Sequence, residues 1–391
     1  MGNNAESDQT QLAIYEESAW GETPSSPAME EIPFSGESLA HIKQTTNTDT
    51  IRKDAQVNAN LELGASGGGA INYELIFGDY DKLIEGALRS SFVTASVTAA
   101  SVSFDAATQQ IRDSGDGFTE LAGFTRNMWV NVKDAYNAEN NGLFRVTGRA
   151  DGALTVANGA SSLVDEAAGT PFTVAGKYIR NGVEKHSYLI QKGFTDITKY
   201  IYYPGCVVGG MTLNLNALGI LNGVFQIQGK QGVPIDSSIA GSIADASTNE
   251  QVTASANVGT ILMDNAVIGI PLKGIVSTID NGLRERPQLG SKYSNGIGRG
   301  KFTQSGSVEA YFEDHTLYNK LVDHTPVILT WRVTDIDGNA FVFTIPKVYF
   351  NAGSPDASGG EDDVVLPMDF DAPVNKDTGY DYTLQIDAIE V

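Results

Sequence analysis

The chain has 391 residues, of which 41% are hydrophobic and 19% are charged, so it is long enough to bury the cores of two or three domains. Lys and Arg total 26 against 48 Asp and Glu, a net charge of −22, which disfavours a nucleic-acid-binding surface or binding to anionic lipid. Cys206 is the single cysteine, which excludes an internal disulfide, and no apolar run approaches the roughly 20 residues of a membrane helix. The first 20 residues lack the features of a secretory signal, so we expect a protein made in the cytoplasm that does not contact a membrane.

Alternation of apolar and polar residues predicts antiparallel β structure along much of the chain. From Gln56 to Leu63 the apolar side chains fall on one face and the polar ones on the other, and the pattern repeats from Ile71 to Leu75. Gly64 to Gly69 lie between these stretches and predict a hairpin turn. A second hairpin is predicted from Met211 to Gln228, so the two hairpins together predict a four-stranded sheet with one polar face.

Two short helices are predicted, from Asp79 to Arg89 and from His315 to Asp323, and each directly follows a strand. The passage from Gly68 to Ile84 can be laid over Gly306 to Val322 without a gap, which indicates a weak internal duplication. In this alignment the apolar faces of the two strands have opposite parity. Two unrelated surface helices with similar caps are the alternative interpretation.

The composition changes after the first helix, where Ser, Thr and Ala runs are followed by short strands and turn pairs. We interpret this stretch as a small β domain inserted into the first of two similar units. The predicted organisation is an N-terminal arm (1–33), a first unit in two pieces (34–97 and 180–236), the insert (98–179), a linker or arm (237–256) and a second unit (257–391).

No catalytic, nucleotide-binding or metal site is predicted, and no cofactor is expected. Gly64 to Gly68 match the pattern of a nucleophile elbow but stand between strands, and they lack the lysine of a phosphate-binding loop. The four histidines have no spacing typical of zinc ligands. Asp335 to Asn339 resemble the start of a calcium loop but lack its closing glutamate, so a hairpin turn is favoured.

The polar faces of the predicted strands carry amides, hydroxyls and carboxylates with almost no Lys or Arg. Such a face suits a water-filled channel, because sheets joined edge to edge in a ring would pair every edge strand and direct these side chains into a lumen. A neutral to acidic lumen would repel phosphates and let DNA pass. The residues predicted to line it are Gln56, Asn58, Asn60, Glu62, Asn72, Glu74, Thr212, Asn214, Asn216, Gln226, Gln228, Glu309, Asp369 and Asp371.

Several passages of the chain resemble the tail tube, or major tail, proteins of long-tailed bacteriophages. They are the stretch from Tyr15 to Pro24, Thr50 to Asp54, Ile71 to Asp81, the hairpin that begins at Tyr203, and the closing strands from Val364 to Ala372 and Thr383 to Ile386. The resemblance covers most of the chain outside the insert.

This resemblance implies a mainly β fold with two tandem tail-tube-type β-sandwich or barrel units, each with a short flanking α-helix, and an inserted small β domain. It implies a structural protein, not an enzyme, in the virion tail, assembled in the host cytoplasm into stacked rings that conduct DNA during ejection. Two units per chain predict trimeric rings with pseudo-sixfold symmetry, with hexameric rings as the alternative. The implied partners are further copies, the tape measure protein, the tail terminator, distal tail or baseplate proteins, and passing viral DNA without specific binding. A secreted or surface adhesin is the alternative function.

Overall fold

A computed structural model describes residues 4–113, 124–150, 152–157, 163–357, 359–360, 363–377 and 380–390. Parts of the predicted insert, residues 114–123, 151 and 158–162, lie outside the described residues. The fold is mainly β, as the alternation predicts.

The described residues form three short α-helices, α1 (Asp81–Leu88), α2 (Ala254–Asn257) and α3 (Thr316–Val322), and 3₁₀ turns at Ser7–Gln9 and Ala138–Asn140. The strands, in chain order, are β1 (Thr10–Glu16), β2 (Ala28–Glu31), β3 (Gly36–Glu37), β4 (Ala40–Asn47), β5 (Asn60–Glu74), β6 (Val93–Ala99), β7 (Val102–Asp105), β8 (Gln110–Asp113), β9 (Trp129–Lys133), β10 (Gly142–Ala150), β11 (Ala153–Ala157), β12 (Phe172–Arg180), β13 (Tyr188–Phe194), β14 (Lys199–Asn216), β15 (Asn222–Gly229), β16 (Val233–Ile235), β17 (Ser242–Ala244), β18 (Val258–Met263), β19 (Ala266–Val267), β20 (Leu272–Asp280), β21 (Arg284–Glu285), β22 (Ile297–Gly298), β23 (Thr303–Tyr311), β24 (Val327–Thr334), β25 (Ala340–Gly353), β26 (Val365–Asp371) and β27 (Gln385–Ile389).

The central feature is an antiparallel sheet in the order β4–β5–β15–β14–β20–β23–β26–β25, with β3 continuing the register of β4 along β5. One face of this sheet is apolar and buried. It packs against α1 and against further strands, and its side chains belong to the largest hydrophobic core among the described residues. The opposite face carries the polar residues of the same strands.

The glycine-rich stretch is not a turn, contrary to the sequence prediction, because β5 runs through it without interruption. A Cβ atom on Gly68 would lie 2.4 Å from the carbonyl oxygen of Ile227, and one on Gly69 would lie 2.3 Å from that of Ser38. The glycines are therefore needed where neighbouring backbones approach β5 closely. The hairpin partner of β5 is β4, which precedes it in the chain.

The two halves of the central sheet have the same connectivity. In the first half a hairpin (β4–β5) leads into α1, and β5 pairs with β15, which pairs with β14. In the second half the hairpin β20–β23 leads into α3, and β23 pairs with β26, which pairs with β25. Both long strands, β14 and β25, also extend into neighbouring sheets, where they pair with β13 and β16, and with β24 and β27.

A bulge occurs at the same place in both halves and sets their alignment. It lies between Val208 and Gly210 on β14, and between Phe350 and Ala352 on β25. When the two bulges are aligned and the strand registers are followed from them, Ile71 is equivalent to Val308, and Tyr73 is equivalent to Ala310. The gapless alignment from sequence was therefore one residue out of register, which is the source of its opposite parity.

The described part of the predicted N-terminal arm (1–33), residues 4–33, folds onto the rest of the chain. β1 pairs along its full length with β13, and Leu12 and Ile14 are buried. The predicted linker, residues 237–256, also folds back, because β17 pairs in parallel with β2 and Val252 is buried. The sequence did not predict these long-range pairings, because the apolar runs involved are short and lie within polar stretches.

The region predicted as an insert has a hydrophobic core of its own, formed by buried side chains between Ala95 and Val174. Its last strand, β12, pairs with β6 and β9, and also with β27 near the C-terminus. Asp387 on β27 is fully buried at this junction, where its carboxylate accepts a hydrogen bond from the backbone N–H of Trp129 at 3.0 Å. Burial raises the pKa of Asp387 to about 7.

Candidate functional site

The polar face of the central sheet is continuous across both halves. Residues directly opposite each other on neighbouring strands share a face, so the strand registers trace one polar row from edge to edge. From β5 to β26 this row consists of Asn72, Val224, Thr212, Thr278, Ser305 and Asp371. The next row consists of Glu74, Asn222, Asn214, Val276, Ser307 and Asp369.

Most of the residues predicted to line a lumen lie together on this face, although the prediction treated the two units separately. The members of this group are partly or fully exposed, and are Asn72, Glu74, Thr212, Asn214, Asn216, Gln226, Gln228, Glu309, Asp369 and Asp371.

The predicted residues nearest the N-terminus are placed differently. Gln56 and Asn58 precede β5 at the exposed tip of the β4–β5 hairpin. Asn60 and Glu62 are in β5, but a bulge at Leu63 separates them from the rest of the strand. Because a bulge inserts one residue, it moves these two side chains to the face opposite Asn72. Glu62 there forms an ion pair with Lys292 at 3.2 Å.

The face is held together by hydrogen bonds between side chains of neighbouring strands. Thr212 and Thr278 have their hydroxyls 3.4 Å apart where the two halves meet. The Asn214 amide donates to the Asn222 side-chain oxygen at 3.0 Å, and the Asn351 amide donates to the Asp371 carboxylate at 2.6 Å. These contacts fix the orientation of amides and hydroxyls without adding positive charge.

Carboxylates dominate the charge of the face. Glu74, Asp280, Asp369 and Asp371 contribute negative charge along three strands. Glu309 is paired with Lys273 at 2.9 Å, and both side chains are partly exposed. The surface is therefore weakly acidic and rich in neutral hydrogen-bonding groups, so it repels an anionic polymer such as DNA.

Aromatic side chains support the face from the core. Tyr73 stacks on Phe225 with ring centroids 4.6 Å apart, and its hydroxyl donates to the carbonyl oxygen of Thr212 at 3.1 Å. Burial raises the pKa of Tyr73 further above its ordinary value. A Cβ atom on Gly223 would lie 2.0 Å from the Thr212 carbonyl oxygen, so glycine is required beside this ring.

Sequence reasoning missed the contribution of β20 to the face, and that of β23 apart from Glu309. Thr278, Ser305 and Ser307 lie on the two polar rows, between the strands that were predicted. The signal was present as alternation between Leu272 and Asp280, where Ile275 and Ile279 are buried. The short, mixed side chains of these strands made that alternation weaker than in Met211 to Leu215.

The described residues offer no arrangement typical of a catalytic or metal site. Within the described ranges, no group of three or more His, Cys, Asp or Glu side chains could hold a metal ion. Cys206 is fully buried, and burial raises the pKa of its thiol above the ordinary range. No described helix is long and apolar enough to cross a membrane.

The fold and this face define a β-rich structural protein that presents a wide, polar, weakly acidic sheet surface. The chain belongs to a family described as phage tail tube protein, whose model matches residues 7–372. It is therefore a structural protein of the bacteriophage tail, a tail tube or major tail protein, in a family that is not an enzyme family. No curated protein matches the chain. The family match gives no support to the adhesin alternative.

Proposed function

We propose that this protein assembles into stacked rings that form the conduit for DNA ejection, with the polar face of the central sheet lining the lumen. The observation that carries the proposal is the continuity of that face from β5 to β26, in a sheet whose outer strands, β3–β4 and residues 349–353 of β25, have no partner strand on their outer side among the described residues. Rings of such sheets would pair both edges and turn the polar rows inward.

We also propose that the chain holds two tandem tube units and forms trimeric rings with pseudo-sixfold symmetry. The repeated strand order and the matching bulges of β14 and β25 support two units. Three chains would then supply about 24 strands, which at roughly 4.8 Å between strands and a tilt of about 40° close into a barrel about 45–50 Å across. Side chains narrow this opening, which still admits a DNA duplex. Six chains would double the number of strands.

The acidic and neutral lumen would let DNA slide because it offers no dense array of cations to phosphates. Protein–DNA affinity depends strongly on the number of Lys and Arg contacts to the backbone. The two polar rows described above contain neither residue.

Stacking of rings requires a surface at the end of the barrel, and the β4–β5 hairpin provides one. Residues 43–63 extend past the other strands and expose large apolar side chains, among them Ile51 at 98%, Val57 at 65% and Leu63 at 63%. Exposed apolar side chains clustered on one projection are typical of protein contact surfaces. We propose that this hairpin contacts the adjacent ring.

We propose the remaining partners from the family to which the chain belongs. A tube of this kind would enclose the tape measure protein, end at a tail terminator and begin at distal tail or baseplate proteins. Assembly in the host cytoplasm is part of the same proposal. The insert, with its separate core, would lie on the outside of the tube.

Protection of cysteines in assembled tubes tests which face lines the lumen. Gln226→Cys places a thiol on the polar face, and Tyr136→Cys places one on the insert, where Tyr136 is 81% exposed. A maleimide attached to a globular protein too wide for the lumen should label both variants as monomers. In tubes it should label only Tyr136→Cys, apart from the tube ends. Equal labelling of Gln226→Cys along intact tubes would refute the assignment of the lumen.

A further inference from the structure

The contact between the two halves of the chain pairs two strands whose equivalents lie at the outer edges of the sheet. Inside the chain, the last strand of the first half, β14, pairs with the first strand of the second half, β20. The equivalent strands at the open edges are β25 and the β3–β4 strand. We propose that β25 of one copy pairs antiparallel with β3–β4 of the next, in the register of the internal contact. This inference rests on the proposed ring.

The two bulges determine the register. They make Gly210 of the first half equivalent to Ala352 of the second half, and Thr212 equivalent to Ser354. By the registers of the two hairpins, Thr278 of β20 is equivalent to Ala40 of β4, and Asp280 is equivalent to Ile42. Because Thr212 faces Thr278 and Gly210 faces Asp280, Ser354 should face Ala40 of the next copy, and Ala352 should face its Ile42.

The correspondence continues beyond the regular part of β25. Asp356 forms an isolated bridge with Val365, just as Asn214 pairs with Asn222 in the first half. The backbone N–H of Asp356 donates to the carbonyl oxygen of Val365 at 2.8 Å. Residues 354–356 therefore keep the direction of β25 and leave its outer edge open to a partner strand.

Hydrogen-bonding groups on the two edges agree with this register. On the β3–β4 strand the N–H of Ser38 bonds to β5, so that of Leu39 points to the outer edge, where the Glu37 carboxylate of the same chain accepts it at 2.8 Å. On the β25 edge the equivalent outward position is Pro355, which has no N–H. The register places Pro355 opposite Leu39, whose N–H is already bonded and whose carbonyl oxygen accepts a hydrogen bond from the Tyr203 hydroxyl at 3.0 Å. Leu39 therefore needs no backbone bond from the residue opposite it.

The neighbouring pairs retain their full hydrogen-bonding capacity. Asn281 donates to Gly209 and Ala217 donates to Lys273 at the two ends of the internal contact, so alternate pairs there exchange backbone bonds. By equivalence, Gly353 would exchange bonds with His41 of the next copy, and the N–H of its Lys43 would donate to the carbonyl oxygen of Asn351. Pairing would also cover Ile42, whose side chain is 49% exposed.

Disulfide formation between engineered cysteines tests the register. Ser354 and Ala40 would form a pair that exchanges no backbone bonds, in which Cα atoms lie about 4.5 Å apart, within the range of a disulfide. The double variant Ala40→Cys/Ser354→Cys carries one thiol at each edge, and the native Cys206 is buried. Oxidised tubes should dissolve in detergent without reductant as covalent trimers. Ile42→Cys/Ala352→Cys is a second pair with the same expectation.

Two further variants serve as controls. Thr212→Cys/Thr278→Cys reproduces the contact inside the chain and should form an intramolecular disulfide in the monomer, since the native hydroxyls are 3.4 Å apart. Gln44→Cys/Ser354→Cys keeps the face and the strand but moves one thiol four residues, roughly 13 Å, and should remain monomeric.

The outcomes separate this inference from the proposed function. Suppose that tubes form and that Thr212→Cys/Thr278→Cys forms its disulfide, but that neither edge pair gives covalent trimers. The proposed register is then wrong, and the proposed tube is not affected. If Gln44→Cys/Ser354→Cys links as readily as Ala40→Cys/Ser354→Cys, the register is also wrong. If neither the native protein nor any variant forms rings or tubes, also after addition of an assembled tail tip, the proposed function fails and this inference fails with it.

Discussion

Truncation of Leu12 should destabilise the folded monomer, although the sequence analysis assigns residue 12 to an N-terminal arm outside the two units. Leu12 is fully buried in β1, and its carbonyl oxygen accepts a hydrogen bond from the N–H of Ile32 at 2.9 Å. Leu12→Ala keeps the backbone bonds and removes most of a buried side chain. Substitutions of this kind cost about 3 kcal/mol, from lost burial and the cavity left behind.

Urea unfolding of the monomer measures the effect. With a slope of about 3 kcal/mol per molar urea, the expected loss lowers the midpoint by about 1 M. The matched control is Leu63→Ala, because Leu63 is 63% exposed on the β4–β5 hairpin and its truncation should change stability by less than about 0.5 kcal/mol. A Leu12→Ala midpoint equal to that of Leu63→Ala would show that β1 is not docked in the monomer.

Three further substitutions test other parts of the account. Leu63→Asp should leave rings intact but stop their stacking into long tubes, whereas Tyr136→Asp should not, as electron microscopy of tube lengths would show; long tubes from Leu63→Asp would exclude the hairpin as the stacking surface. Because burial raises the pKa of Asp387 to about 7, its native carboxyl binds a proton that the unfolded chain has lost, so this residue makes stability fall as pH rises from about 4 to about 7. Asp387→Asn should therefore flatten the decline of the melting temperature over that range, and an unchanged decline would assign it to other groups. Asp371→Lys should leave the fold intact but make tubes retain DNA in a salt-dependent manner, measured by co-sedimentation; tubes indifferent to DNA at low salt would place Asp371 outside the lumen.

The polar face could be predicted because it depends on a local property of strands, the alternation of side chains. Met211 to Leu215 and Leu366 to Phe370 alternate without interruption, and their apolar members are buried as expected. The two longer helices were also predicted to within two residues, since each is short and amphipathic.

The predictions from sequence were wrong where a contact between residues far apart in the chain determines the structure. The bulge at Leu63 reverses the faces of Asn60 and Glu62, and its cause is the pairing of β5 with β4, which alternation alone does not reveal. Gly68 and Gly69 suggested a turn, whereas they serve close approach of neighbouring backbones within a strand. The docking of β1 on β13 joins residues far apart in sequence and has no local signal.

The measurement that most directly tests the tube is electron microscopy of the purified protein over a concentration series, with averaging of end-on views. We expect hollow particles with threefold symmetry, six similar lobes around the lumen and three smaller projections outside from the insert. Six projections around a wider lumen would indicate hexameric rings and contradict the trimer. The proposal that the protein forms a hollow conduit would be contradicted by solid or irregular particles that keep the same form at every concentration, and that also do so after addition of an assembled tail tip.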